Sequence, residues 1–164
     1  MARPRSDPLT TAGRSALMAR VRTRDTAPEV AVRRALWALG VRGWRLHPRS
    51  VPGKPDLVWN RPRLALFVDG AFWHGHPDYY RGQSGAFWDA KIAANRARDE
   101  AVNARLVEAG WTVMRVWDFE VERRPAGCAA AVAALLRGLR EGDRTFAGRV
   151  VRVEDLGDVT GDPP

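Results

Sequence analysis

The sequence predicts one α/β domain, a mixed central sheet flanked by helices, from the order helix, three strands, long helix, strand, helix. Two observations carry most of this. Two short apolar runs, 56–59 and 64–68, are separated by the tight turn Asn60-Arg61-Pro62-Arg63 and read as an antiparallel hairpin. An Ala-rich stretch over 86–109 then leads through Gly110 into the alternating run 111–117, a long helix followed by a strand. With 164 residues, 45% of them hydrophobic and seven of them Trp, the chain can build a real core and is not disordered throughout. We find no internal repeat and no linker between domains.

In chain order, residues 1–13 hold Arg, Pro, Ser and Gly and are expected to form a flexible basic arm. Residues 14–140 are the domain proper. Residues 141–164, with six acids against three arginines and an Asp-Pro-Pro end, are expected to form an acidic C-terminal tail on the surface. Residues 15–21 read as a short helix carrying Met18. Thr26-Ala27-Pro28-Glu29 is a capping-box signature, so a helix starts there, and Glu29 has an ordinary structural role available. Val30, Arg33 and Arg34, Trp37 and Val41 continue a helical period, with Leu36 and Leu39 beside them, and Gly40 can end it. Residues 44–47 read as a short strand and 51–55, with two prolines and a glycine, as a turn. Gly75, Pro77, Gly82 and Gly85 make 75–85 a loop. Residues 126–139 form the last helix, with Val132, Leu135, Leu136 and Leu139 as its buried stripe.

Composition excludes several classes. No run of about 18 apolar residues is present, so no membrane partner is expected. The basic start has no apolar stretch after it and does not read as a signal peptide. The single cysteine, Cys128, excludes an intramolecular disulfide and a Cys-rich zinc site, which suits a cytoplasmic setting. The net charge is +8, and all 27 basic residues but Lys54 and Lys91 are arginines. Arginine favours bidentate phosphate contacts, so nucleic acid is a natural partner. A GC-rich genome gives the same excess without any such partner. Arg20 and Arg22 lie in an arginine-rich stretch that could rest on phosphates.

The chemistry concentrates around the hairpin. Asp56 starts one strand and Asp69 ends the next, so the hairpin brings both carboxylates to the same end of the sheet. Two carboxylates and a backbone carbonyl, that of Val68, make a hard oxygen site for Mg²⁺. Pro55-Asp56 followed by Asp69 matches the metal-binding half of a PD-(D/E)xK nuclease site, a pattern that is weak by itself. The motif's lysine is absent, because Asp69-Gly70-Ala71 places alanine there. His74 offers a replacement, since a neutral imidazole can take a proton from water near pH 7. Paired acids on a hairpin are also found simply solvated, and a lone histidine simply hydrogen-bonded. Phe72 and Trp73 are core residues or, at the mouth of a DNA site, wedges between base pairs. Lys91, Asn95 and Asp99, spaced four apart, share one face of the long helix.

Several of these stretches together, Met18-Ala19-Arg20-Val21-Arg22 through Pro28-Glu29, Pro52-Gly53-Lys54-Pro55-Asp56, Val68-Asp69-Gly70-Ala71-Phe72-Trp73-His74-Gly75-His76, Phe87-Trp88-Asp89-Ala90-Lys91-Ile92 and Ala109-Gly110-Trp111, resemble the very-short-patch-repair (Vsr) DNA mismatch endonucleases, in the same order over residues 14–139. The resemblance implies a single-domain PD-(D/E)xK-type, restriction-endonuclease-like fold. It also implies a Mg²⁺-dependent nick at T:G mismatches left by deamination of 5-methylcytosine. By position, Asp56 resembles the principal metal ligand, Val68 a carbonyl ligand, and Asp69 a ligand to the metal or its water. His74 resembles the catalytic base, Glu29 a glutamate near it, and Asp99 a carboxylate at the site's edge. Met18, Phe72 and Trp73 resemble wedge residues, and Lys91 and Asn95 residues that touch the mismatched pair. The implied partners are mismatched double-stranded DNA and mismatch-repair proteins; the sequence shows no oligomerisation seam, so a monomer is expected. Many relatives hold a structural zinc with three cysteines and a histidine. Here the cysteine positions read Ala71, Asp78 and Phe119 and only His76 remains, so no zinc is expected and packing, of Tyr79 and Tyr80 among others, must hold the loop. A Vsr-like nuclease acting on modified or foreign DNA in host defence would need the same residues.

Overall fold

The computed structural model describes residues 24–82 and 85–156. Met18, Arg20, Arg22, the arm 1–13 and the short helix at 15–21 lie outside the described residues. The elements are α1 (Ala27–Ala38), β1 (Arg45–Leu46), β2 (Leu57–Trp59), β3 (Leu64–Asp69), α2 (Ala86–Glu108), β4 (Thr112–Trp117), α3 (Asp118–Arg123), α4 (Pro125–Glu141), β5 (Val150–Arg152) and a closing 3₁₀ turn (Val153–Leu156). They form the mixed α/β domain that the element order predicts.

One five-stranded sheet has the order β1-β2-β3-β4-β5, antiparallel through β3 and parallel from β3 to β5. The hairpin pairs Leu57 with Leu66 and Trp59 with Leu64. Strand alternation divides the core into two layers. Leu57, Trp59, Leu64, Leu66, Met114 and Val116 pack with Val32 and Leu36 of α1 and with the apolar face of α4. Val58, Ala65, Phe67 and Val113 point the other way and meet Leu106 of α2. Phe67 pairs directly with Arg115 across β3 and β4, so Asp69, two residues beyond Phe67, lies on the α2 side as well.

Three readings change. Residues 150–152 are not a surface tail. They pair with β4, and Val151 is 1% exposed. Phe146, Val153 and Leu156 pack against the larger core, so the segment after α4 completes the domain. The buried face of α1 runs through Glu29, Val32 and Leu36, one position away from the period through Val30 and Trp37. Trp37 is 60% exposed, with the Arg42 guanidinium 3.4 Å above its ring. That stacking explains a tryptophan on the outer face. Between β4 and β5, α3 adds a helix that sequence pattern does not announce, since its six residues bury only Val121. The capping box at 26–29 forms in altered shape. The Glu29 amide donates to Thr26 Oγ1 (3.4 Å), while Glu29 Oε2 accepts from the Asp25 amide (2.8 Å).

Candidate active site

Both strand-end carboxylates reach one cleft of about 620 Å³, between the C-terminal end of β3, the start of α1 and the middle of α2. Asp56 immediately precedes β2, and its amide donates to Leu66 O. Its side chain turns back to the hairpin, where Oδ2 accepts the Val68 amide at 2.7 Å. Burial pushes the Asp56 carboxyl up to about 7; the Val68 hydrogen bond opposes this, and the charges of Glu29 and Asp69 add to it. A partly buried carboxylate crowded by two others is electrostatically suited to a divalent ion. The Asp56 oxygens and the neighbouring Val68 carbonyl are hard donors of the kind Mg²⁺ takes.

Asp69 lies on the same cleft in a different electrostatic setting. It is 2% exposed, and both its oxygens accept from Arg115, Nε and Nη2, at 2.7 Å each. Arg152 Nη2 is 3.8 Å from the same carboxylate. Arg115 also approaches Asp99 Oδ1 (3.2 Å) and donates from Nη1 to Asn103 Oδ1 (2.9 Å). Burial works against the Arg115 charge, but its hydrogen bonds and proximity to Asp69, then Asp99, hold the guanidinium above its usual value. An ion on Asp69 would have to use electron pairs that Arg115 leaves free.

His74 sits one turn after β3, its amide donating to Gly70 O at 3.0 Å. Its Nδ1 is hydrogen-bonded to Asp99 Oδ2, the side chain of α2 that also faces Arg115. Burial raises the Asp99 carboxyl, but the His74 hydrogen bond and the charges of Arg115 and His74 outweigh it, so Asp99 is held below its usual value and is ionised at neutral pH. An ionised carboxylate only accepts, which assigns the proton to Nδ1 and leaves the Nε2 lone pair as the basic site. Gly75 fixes the approach of this turn to α2. Its φ is +70°, and a Cβ there would lie 2.9 Å from Ile92 Cγ2.

Glu29, Val68, Trp73, Lys91 and Asn95 line the same cleft, and the shared helix face of Lys91, Asn95 and Asp99 holds. Asn95 Nδ2 donates to Trp73 O (2.9 Å) and so braces the turn bearing that indole. Phe72 is drawn instead into an aromatic group, edge-on to Trp73 (5.2 Å), Trp88 (6.0 Å) and Tyr80 (6.2 Å). Sequence reasoning misses Arg115, Asn103, Arg152 and the position of His47. An arginine in the middle of a largely apolar strand was the available signal for Arg115, because such a charge needs a buried partner. His47 stands between Glu29 Oε2 and Asp56 Oδ1, 3.6 Å from each through Nε2 and Nδ1 respectively. With Asp25 and Glu29 it forms, among the described residues, a group whose potential ligand atoms lie within 4.8 Å of one another.

The loop after His74 is held by rings. His76 meets Trp117 (4.9 Å), Phe119 (5.1 Å) and Tyr79 (5.6 Å), and Tyr79 stacks on Phe119 (4.9 Å). Phe119, at a position where zinc-binding relatives are expected to carry cysteine, is central to this group. Tyr80 takes no part in it, and its hydroxyl donates to Asp89 (2.5 Å).

Known proteins match the chain over most of its length. The family described as "DNA mismatch endonuclease Vsr" matches residues 6–81. A relative named "Type II nicking enzyme V.XorIIP", from Xanthomonas oryzae pv. oryzae, is 45% identical over 120 residues, 71% of this chain and 87% of the relative. "Type II nicking enzyme V.NmeDIP", from Neisseria meningitidis serogroup C, is 38% identical over 80% of this chain and 90% of its own length. "DNA mismatch endonuclease Vsr" of Escherichia coli is 37% identical over 69% of this chain and 74% of its own length. Fold, cleft and relatives together define a DNA endonuclease. More narrowly, the chain belongs to the Vsr family. Among the described residues no helix is long and apolar enough to cross a membrane.

Proposed function

We propose that this endonuclease nicks one strand of duplex DNA at T:G mismatches arising from 5-methylcytosine deamination, using a PD-(D/E)xK-type site in which histidine replaces the motif's lysine. The observation that carries this reading is the His74–Asp99 pair beside the partly buried carboxylate Asp56, in one cleft with Trp73, Lys91 and Asn95 on its walls.

The residues fit a divalent cation, since Asp56 is a partly buried acid whose excess negative surroundings a cation would relieve. Asp56, the Val68 carbonyl and, through its remaining electron pairs, Asp69 would hold Mg²⁺, which when bound neutralises developing charge on the phosphate and acidifies water. His74 Nε2 accepts the proton of the attacking water, and ionised Asp99 stabilises the imidazolium that results. Glu29, braced by Thr26 and Asp25, stays near Asp56 through His47. Trp73 is poised to enter the stack beside a mismatched pair, which is cheaper to open than a matched one. Lys91 and Asn95 contact the opened pair from α2, and the Arg-rich start of the chain supplies salt-dependent phosphate affinity.

The test is strand-resolved cleavage of matched, T:G-mismatched and methylated duplexes with Mg²⁺. Nicking confined to the T strand of the T:G duplex is expected. Equal cutting of all three would overturn the mismatch reading, and cutting of the methylated matched duplex alone would favour a nuclease directed at modified DNA.

A further inference from the structure

We propose that Arg115 is a positioning residue of this site: its buried guanidinium holds Asp69 and Asp99 together and, through Asp99, sets the tautomer and orientation of His74. The proposal rests on the reading of His74 as the base and adds the cation on which that base depends. β4 is buried along its whole length, and Arg115 in the middle of it is 3% exposed. Such a charge is stable only with dedicated partners. The structure supplies them on every side: Asp69 at both oxygens, Asp99 Oδ1, the Asn103 amide oxygen, and the Phe67 ring 4.7 Å from the guanidinium carbon.

The geometry divides Asp99 between two tasks. Oδ1 faces Arg115 and Oδ2 accepts the hydrogen bond from His74 Nδ1–H, so rotation of the carboxylate is blocked at both ends. Asp69 Oδ1 is itself 3.9 Å from His74 Nδ1 and is kept from competing by the hydrogen bond it accepts from Arg115 Nη2, while Asp69 Oδ2 accepts from Arg115 Nε. Without the guanidinium, Asp69 and Asp99 repel each other across one cleft, Asp99 loses one of its tethers, and the imidazole can protonate at either nitrogen. The tautomer with its proton on Nε2 has no lone pair where water is to be deprotonated. A lysine would restore the charge but not the planar fork that grips two oxygens of Asp69 while reaching Asp99.

Two measurements on the full chain test this. The chain has three histidines, so ¹⁵N signals of the His74 ring are assigned with His74→Gln. The wild type should show the Nδ1–H tautomer, and Arg115→Met a mixture of both. In nicking of the T:G duplex with Mg²⁺, Arg115→Met should lower kcat about 100-fold and change KM less than about threefold. Arg115→Lys should recover only part of that loss, and added guanidinium ion should accelerate Arg115→Ala by about tenfold or more. A folded Arg115→Met protein with the wild-type tautomer and a kcat within about threefold of wild type overturns the proposal. Should Arg115→Met fail to fold, Arg115→Lys decides: wild-type tautomer and wild-type kcat in that variant overturn it equally. The spectrum needs no substrate, so a wild-type enzyme silent on T:G duplexes would sink the mismatch reading while the tautomer still decides the role of Arg115.

Discussion

The two carboxylates that the hairpin brings to one end of the sheet are chemically identical, yet they are opposites. Asp56 has a single amide on Oδ2, two negative neighbours and a carboxyl pushed up to about 7, chiefly by burial. Asp69 is more deeply buried and has a guanidinium across both oxygens. Burial alone therefore does not set the character of an acid. The partner delivered by the adjacent element does. β2, the neighbour of β3 on one side, brings to the cleft an acid that no guanidinium grips. β4, on the other side, brings Arg115. One wall of the cleft is thereby prepared to attract a cation, and the other is already neutralised and rigid.

Exchanging each acid for its amide should separate the two walls. Asp56→Asn should lower Mg²⁺-dependent nicking by at least about 10⁴-fold with DNA affinity within about threefold in a gel-shift titration, because it removes the principal candidate metal ligand. Substantial residual cleavage would remove Asp56 from that role.

The same wall predicts a pH dependence of the metal-free protein. The Asp56 carboxyl is raised from 3.8 to about 7 on folding, so the folded state holds the extra proton between these values. Its stabilising contribution is full below about 4 and is lost as pH rises through about 7, an effect of at most roughly 4 kcal/mol by linkage. Denaturant melts from pH 4 to pH 8 should show this loss, and Asp56→Asn should flatten it. An unchanged slope in the variant would contradict the assignment.

Asp69→Asn should act in the opposite direction. It leaves a buried guanidinium short of its counter-charge and should destabilise the protein by about 3 kcal/mol at pH 8. Asp56→Asn at the same pH should stabilise the metal-free protein. Melting curves that moved in the same direction for both variants would dissolve the contrast between the walls.

The smallest effect is expected at the ring-held loop. Phe119→Ala removes a half-buried ring stacked on Tyr79 and close to His76, and should cost about 1–2 kcal/mol. Thermal melts read this directly. A loss below about 0.5 kcal/mol would mean that the rings accompany the loop without holding it.

How much of this was legible depended on the range of the interactions. The hairpin, the long helix and the placing of Asp56, Asp69 and His74 follow from short apolar runs and a tight turn, all local in the chain. The shared face of Lys91, Asn95 and Asp99 follows from helical repeat. β5 escaped because three residues, Val150-Val151-Arg152, lie in an acid-rich segment and carry no repeated alternation. The buried face of α1 was displaced by one position because Trp37, apolar by type, is capped by Arg42.

The sequence by itself determined which residues stand at the ends of strands and turns: Asp56 before β2, Asp69 closing β3, and His74 a turn later. Only the tertiary structure decided what each of them meets. Arg115 reaches Asp69 across 46 positions, and Asp99 reaches His74 across 25. Strand pairing and the docking of α2 create those distances, and local chain geometry does not encode them. The charge state of each acid depends on these long-range partners, so the division between a cation-seeking wall and a clamped one first exists in the folded chain.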